Sequence, residues 1–509
     1  RVAEMTLPPS LATPRAGFAK RVLDNGLTIL CQENHAAPIA VVQATVRAGS
    51  IFEQEYMGGG ISHFCEHLVS GGTTKTRPEK ETEKILGALG GVTYAYTSTD
   101  RTAYYIRTTK GENFDTALQL IADWMQNAAI KQEEYGRERK VIQREIEKGL
   151  TEHGRVLWRL AEKTMFSFHP ARHPVIGYKD LFLKLTRDDV VKYYRRMYTP
   201  DNMVVVAVGD FDAAKIADRI ADLFKDAKPS GRVTVVPRDD PPQQGMRRAE
   251  TEMDVKGAYV AMSFRTVPLS HPDLYPLDVM SYVLSKGRSS RLMRRLREEQ
   301  QLADSVTSWS YTPWYGTGHL GIQMVVNPES IEKAKAAVLA ELEKLKCDLV
   351  TEAELARAKK QKIAADVFYK QTIQAQAAEL AGNFLATGNP FFGEVYLRGI
   401  RTVKAEEIRE VARKYVSKDN LTVAIVRPKR TTKTGPAAQS LPPSKTAKIV
   451  LPNGLRVLVK RNPNVPLVSI QAYFLGGVLA EDEKTAGTSH VPGRMLTRGT
   501  KTRTALDIS

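Results

Sequence analysis

The sequence predicts an α+β fold made of repeated two-domain halves, each domain a mainly antiparallel sheet packed with helices. Three observations predict it. Short β-prone runs alternate with long helical stretches, a Pro-rich break divides the first part of the chain into two such mixtures, and after a Lys-, Thr- and Pro-rich linker the chain begins again.

In chain order, 1–19 is a Pro-containing, unpatterned N-terminal tail, expected to be a linker after something removed or not included. Around Val22–Ala44, apolar residues alternate on both sides of Asn25-Gly26, the pattern of a hairpin. Gly58-Gly59-Gly60 precedes a short helix over 61–69. A second helix, 77–89, has Pro78 in its first turn and is closed by Gly90-Gly91. Strands are expected at 93–98 and 103–108, helices at 112–128 and 131–153, a buried strand at 202–209 and a helix at 213–224. These elements make one α+β domain over 20–230, expected to carry the chemistry. Pro-rich 237–244 separates it from a second α+β domain at 245–427, followed by a linker at 428–447.

Residues 448–509 are the truncated start of a degenerate repeat of the first domain. Leu451-Pro452-Asn453-Gly454-Leu455 echoes Leu23-Asp24-Asn25-Gly26-Leu27, and Gly487-Thr488-Ser489-His490 answers Gly60-Ile61-Ser62-His63. Arg498–Arg503 likewise answers Gly71–Arg77, so the whole two-domain block is the repeating unit.

Composition bounds the function classes. With 509 residues the chain exceeds one hydrophobic core, and 42% hydrophobic with 26% charged residues is ordinary globular usage. No apolar run is long enough for a membrane-spanning helix. The net charge of +17 comes from Lys and Arg scattered among many Asp and Glu, with no zinc-finger, basic-zipper or aromatic-basic signature, so no nucleic-acid partner is expected. Three distant cysteines, Cys31, Cys65 and Cys347, make no disulfide framework.

One pentapeptide carries chemistry. In His63-Phe64-Cys65-Glu66-His67 the imidazoles stand at i and i+4, one helical turn apart on one face, and both can reach one metal. Glu66 shares that face and can act as general base without being a ligand, the inverted zincin arrangement. The bland alternative is a solvated helix with two unrelated histidines. A catalytic zinc site needs a third protein ligand, and the helix at 131–153 offers Glu138 and Glu145 two turns apart, alongside an apolar stripe of Tyr135, Val141, Ile142 and Ile146. Two carboxylates on a buried face need a reason, and a metal with basic partners is one.

These residues give the chain a specific resemblance to the pitrilysin and insulinase family of zinc peptidases, which includes the mitochondrial processing peptidase. The carriers are Gly60–Leu68, then Gly90-Gly91 with Ala95-Tyr96-Thr97-Ser98 and Thr102–Tyr105, Glu138–Glu145, and Pro200-Asp201-Asn202 with Val208-Gly209-Asp210. The resemblance implies a zinc metalloendopeptidase with one Zn²⁺ per chain on His63, His67 and Glu145, Glu66 as base and Glu138 supporting the site. It implies peptide substrates, extended or unfolded, bound along the strand that carries Tyr94 and Ala95. The family usually has Asn where Tyr94 stands. It also implies a chamber closed by a second half of the same polypeptide or by a partner subunit. The repeat copy replaces Glu66 and His67 by Gly493 and Arg494, as a degenerate half does, and the family's substrate-binding Arg and Tyr pair is expected beyond Ser509, since Arg297 is followed by Asp304 rather than Tyr. The alternative is a catalytically silent scaffold or binding subunit of the same family. A bacterial periplasmic location is expected, with cytosol or an organelle open.

Overall fold

The computed structural model describes residues 15–231, 237–429 and 447–460, together with 470–474, 477, 480–482, 484–489, 495 and 500–503. Its first sheet has six strands: β1 (Phe18–Val22), β2 (Thr28–Glu33), β3 (Ile39–Val46), β4 (Val92–Thr97), β5 (Thr102–Thr109) and β6 (Met203–Gly209), in the order β1-β2-β6-β3-β5-β4. Only β2 and β6 run parallel. β6, Met-Val-Val-Val-Ala-Val-Gly, is buried at every position because helices cover both faces of the sheet there. The helices of this segment are α1 (Ile61–Val69), α2 (Glu79–Ala88), α3 (Glu112–Asn127), α4 (Gln132–Thr151), α5 (His153–Met165), α6 (Lys179–Phe182), α7 (Arg187–Met197) and α8 (Ala213–Phe224).

A second sheet of five strands, β7 (Arg247–Met253), β8 (Ala258–Arg265), β9 (Ala303–Tyr311), β10 (His319–Val326) and β11 (Leu421–Pro428), has the order β7-β11-β8-β10-β9. Its helices are α9 (Leu274–Ser285), α10 (Ile331–Cys347), α11 (Glu352–Tyr369), α12 (Ile373–Thr387), α13 (Phe392–Thr402) and α14 (Ala405–Tyr415). The plan repeats the first. In each sheet the last strand in the chain inserts between two consecutive earlier strands, parallel to one (β2 or β7) and antiparallel to the next (β3 or β8), and a β-hairpin makes the far edge. The two segments are thus copies in topology, and Asp201-Asn202 before β6 is answered by Asp419-Asn420 before β11.

The expected domains at 20–230 and 245–427 follow the chain, but packing does not respect that boundary. Leu157 and Ala161 of α5 bury themselves against Ala261, Ala424 and Val426 of the second sheet. In return, Ile373, Ala377, Leu380 and Ala381 of α12 cover Leu30, Val41, Val204, Val206 and Val208 of the first. Each segment lends the other one helix, and the described residues from 15 to 429 form one compact unit.

Two local expectations change. The helix expected at 131–153 is present as α4 but ends at Thr151, because Glu152 is extended (φ −91°, ψ 105°), and a separate helix, α5, starts at His153. The break is needed because α4 buries Tyr135, Ile142 and Ile146 in the first core whereas α5 buries its apolar side on the second sheet. The tail is also shorter than 1–19: β1 starts at Phe18, and Arg15 reaches Glu394 of α13 at 2.7 Å while its guanidinium lies over the Phe391 ring.

The residues from 447 onward form a separate unit with its own hairpin, β12 (Ala447–Val450) and β13 (Arg456–Val459). Its turn reproduces that of β1–β2. Leu451 N donates to Leu455 O at 2.9 Å as Leu23 N does to Leu27 O at 2.9 Å, and Gly454 (φ +84°) matches Gly26 (φ +86°) in the left-handed region that favours glycine. Further on, Glu481 accepts from the N–H groups of Gly487 and Ser489, as Glu53 does from Gly60 and Ser62. Thr500 Oγ1 accepts from Arg503 N at 2.9 Å, as Thr74 Oγ1 does from Arg77 N at 3.0 Å. The substituted His490–Arg494 stretch lies outside the described residues. Among the described residues no helix is long and apolar enough to cross a membrane, and the three cysteines are free.

Candidate metal centre

Helix α1 begins without a capping side chain, because its N-cap is Gly60 in the left-handed conformation (φ +73°). A Cβ there would stand 2.3 Å from Ile176 O, so the close approach of that loop excludes any other residue. Glu53 supplies the missing cap from a distance. Its carboxylate accepts from Gly60 N at 3.2 Å, Ser62 N at 3.1 Å and Ser62 Oγ at 2.6 Å. Burial pushes its pKa up to about 7 despite these bonds. The apolar side of α1, Ile61, Phe64, Cys65 and Leu68, sinks into the first core. The Phe64 ring lies 5.1 Å from that of Tyr135, which fixes α1 against α4.

That packing leaves His63 and His67 facing α4. Glu145 Oε2 lies 3.9 Å from Nε2 of each imidazole, and one atom from each of the three residues falls within 4.8 Å of the others. Glu138, two turns earlier, accepts from His67 Nδ1 at 3.2 Å and is held in turn by Arg137 Nε at 3.0 Å. The expected pair of glutamates is therefore present. Val141, expected in the same buried stripe, is instead exposed: the 3.6-residue period turns it away while Ile142 takes the inward position.

Glu66, on the same side of α1 as the histidines, is 8% exposed, and its Oε2 accepts from Thr97 Oγ1 at 2.8 Å. Burial raises its pKa, and the Thr97 bond works against that rise. His63 is pushed down to about 3 by burial, then by His67 and Arg155, so it is a neutral ring with a free lone pair. Burial also opposes protonation of His67, but the bond to Glu138 and the charges of Glu66, Glu138 and Glu145 outweigh it and raise the pKa. The His67 bond holds the Glu138 carboxyl below its ordinary value. Arg155 of α5 closes the other side, 4.0 Å from Glu145 Oε1. His63 Nδ1 is buried without a partner among the described residues.

These residues fit a divalent zinc ion. Two imidazole nitrogens and one carboxylate oxygen converge from two helices, one histidine is oriented by a carboxylate on its remote nitrogen, and the surrounding acids favour a positive charge at the centre. It is the only such convergence of potential ligands among the described residues. Strand β4 runs beside it as the outer edge of the first sheet. Ala95 packs towards the core under α1, while Tyr94, 57% exposed, lies on the other face with its ring 5.9 Å from that of Tyr105.

Comparison with known proteins agrees with this geometry. The family model described as insulinase, peptidase family M16, matches residues 28–179, and that described as peptidase M16 inactive domain matches 184–362. The chain belongs to the M16 peptidase family. Among curated relatives of this M16 chain, a probable mitochondrial-processing peptidase subunit beta of Arabidopsis thaliana is 26% identical over 418 residues, covering 80% of this chain and 77% of that one. A zinc protease of Helicobacter pylori, PqqE, is 29% identical over 418 residues, 80% of this chain and 92% of that one. The crystal structure of a protease from Helicobacter pylori superposes with a TM-score of 0.75 at 27% identity, covering 81% of this chain and 99% of that chain.

The two M16 segments differ where the metal would sit. α9 occupies the place in the second topology that α1 has in the first, and carries no histidine. Its Asp278 faces Lys362 of α11 at 3.5 Å and accepts from Tyr396, an ion pair in place of a ligand set. Arg297 is exposed in a wide helical turn, Met293–Glu299. Sequence reasoning missed three residues of the site: Thr97, Glu53 and Arg155. Only Glu53 left a signal, a carboxylate shortly before a helix whose N-cap is glycine.

Proposed function

We propose that this chain is a zinc-dependent peptidase that hydrolyses extended peptides, with His63, His67 and Glu145 as ligands of one zinc ion and Glu66 as general base. The convergence of the three ligand atoms within 4.8 Å, beside a buried glutamate that shares the helix of the two histidines, is the observation that carries the reading. When bound, the zinc ion supplies Lewis acidity at the scissile carbonyl. Glu66 takes a proton from the attacking water and passes it to the leaving amine, and its raised pKa suits both halves of that transfer. Thr97 keeps its carboxylate aimed into the site, and Glu138 keeps His67 in the tautomer that offers Nε2. The open edge of β4 supports binding of the substrate backbone as an added strand, with Tyr94 and Ala95 on opposite faces of that strand. The relatives' names support zinc and proteolysis, and the repeated start at 447 supports closure of the site by a further half or a partner subunit.

Glu66→Gln, with peptide cleavage and zinc content measured together, tests this. Cleavage is expected to fall by about 10³-fold or more with about one zinc per chain retained. Unchanged turnover removes Glu66 from the reaction. Wild-type protein that binds zinc and cleaves no peptide supports the scaffold alternative instead.

A further inference from the structure

The second segment carries no ligand set, yet one of its turns reaches the hairpin that flanks the metal centre. Residues 98–101 turn β4 into β5 immediately after Thr97, whose hydroxyl holds Glu66. Asp100 organises that turn. It is 9% exposed, and its carboxylate accepts from Ser98 Oγ at 2.8 Å and from Arg101 Nη1 at 3.1 and 3.2 Å, all within the turn. A further bond comes from the other segment: Trp314, in the turn between β9 and β10, donates its Nε1–H to Asp100 Oδ2 at 2.6 Å.

Packing, rather than this bond, fixes where Trp314 stands. Its neighbour Tyr315 is 3% exposed and belongs to the first core, with its ring stacked 6.0 Å from that of His169. The Trp314 ring itself lies 6.3 Å from Phe52, and the Arg47 guanidinium stands over it at 5.9 Å. An indole held in this way is a rigid donor, and a hydrogen bond to a buried carboxylate is worth more than one between neutral groups. We propose that Trp314 is a positioning residue for Glu66: by pinning Asp100 it fixes the turn, and the turn sets the Thr97 hydroxyl against the Glu66 carboxylate. On its other side the turn is tied by Ser50 N to Ser98 O at 3.2 Å and by Ile51 N to Thr99 O at 3.0 Å, so loss of the indole donor loosens it without melting it. The second segment thereby acts on the chemistry without touching the metal. The inference rests on the peptidase reading for the role of Glu66.

The test is a double-mutant cycle on the zinc-loaded full chain. Trp314→Phe keeps an aromatic ring between Phe52 and Arg47 and removes the N–H donor. It is expected to lower kcat for peptide cleavage about threefold to tenfold, with KM and zinc content within about twofold of wild type. In a Thr97→Val background the same change is expected to cost less than about twofold, because the bond it supports is already gone. A general loss of folding does not produce that pattern. Unchanged kcat in either single variant overturns the proposal, as do losses that simply multiply in the double variant or a loss confined to KM. Asp100→Asn, which removes the charge that Trp314 meets, takes the same place in the cycle if Trp314→Phe does not fold. Hydrogen exchange reads the turn without turnover. Amides of 97–102 are expected to exchange about tenfold faster or more in Trp314→Phe, while those of α1 keep their wild-type rates. Exchange that is unchanged, or faster throughout the chain, overturns the proposal. A chain that cleaves nothing but shows the local increase loses the peptidase reading and keeps the pinned turn. A chain that cleaves, with kcat and exchange both unmoved in Trp314→Phe, does the reverse.

Discussion

At the scale of single residues, the centre depends on groups that never touch the metal. Thr97 Oγ1, at the end of β4, donates to Glu66 Oε2 at 2.8 Å. Thr97→Val should lower kcat by up to about tenfold, the worth of one hydrogen bond, with zinc content unchanged. Steady-state kinetics with metal analysis checks this, and a matching loss of zinc would show that Thr97 holds the helix rather than the base. Glu138 acts on the other histidine. Glu138→Gln keeps its shape and removes the charge opposite His67 Nδ1, so zinc affinity is expected to fall about 10-fold to 100-fold in a competition titration. The motif His63–His67 was legible in the sequence because helical spacing alone puts its side chains together. Thr97 was not, because the bond from the end of β4 to α1 is made only when the sheet closes on the helix.

At the scale of elements, the exchanged helices couple two cores that the sequence separates at 237–244. Leu157 of α5 and Leu380 of α12 each lie under the other segment's sheet. Leu157→Ala and Leu380→Ala should each cost about 2 to 5 kcal/mol. Both should shift one shared unfolding transition, seen by calorimetry as a single peak. Two separable transitions would mean that the segments fold independently. The start of α11 provides a pH-dependent contact. Arg291 donates to both oxygens of Glu354 at 2.8 and 2.9 Å, and this pair first, with Thr351 at the cap, holds the Glu354 pKa down to about 2. A depressed folded pKa stabilises above the unfolded value and is lost as pH falls, here between about 4.5 and about 2. The contribution, on the order of 2 kcal/mol, should disappear from acid titrations of stability when Glu354→Gln is compared with wild type.

At the scale of the whole molecule, one sheet plan is used twice and only one copy keeps a ligand set. The second copy faces Asp278 with Lys362 where the first faces two histidines with a glutamate. Hydrophobic periodicity does not reveal that duplication, because topology is conserved by the order of strands while side chains diverge. The third beginning, at 447, was legible for the opposite reason. Asn-Gly turns and the Thr-x-x-Arg cap are local hydrogen-bonded devices, so their residues recur wherever the geometry does.

By itself the sequence determined the α+β class, the short helix at 61–69, the pairing of His63 with His67 and the two glutamates of the next long helix. All follow from spacing along one chain segment. Tertiary structure alone decided that Glu145 reaches both imidazoles, that α4 ends at Glu152 so that α5 can cross to the other sheet, and that a buried carboxylate caps the metal helix. Each of these joins residues distant in sequence, and such contacts are set by how apolar faces pack rather than by any local pattern.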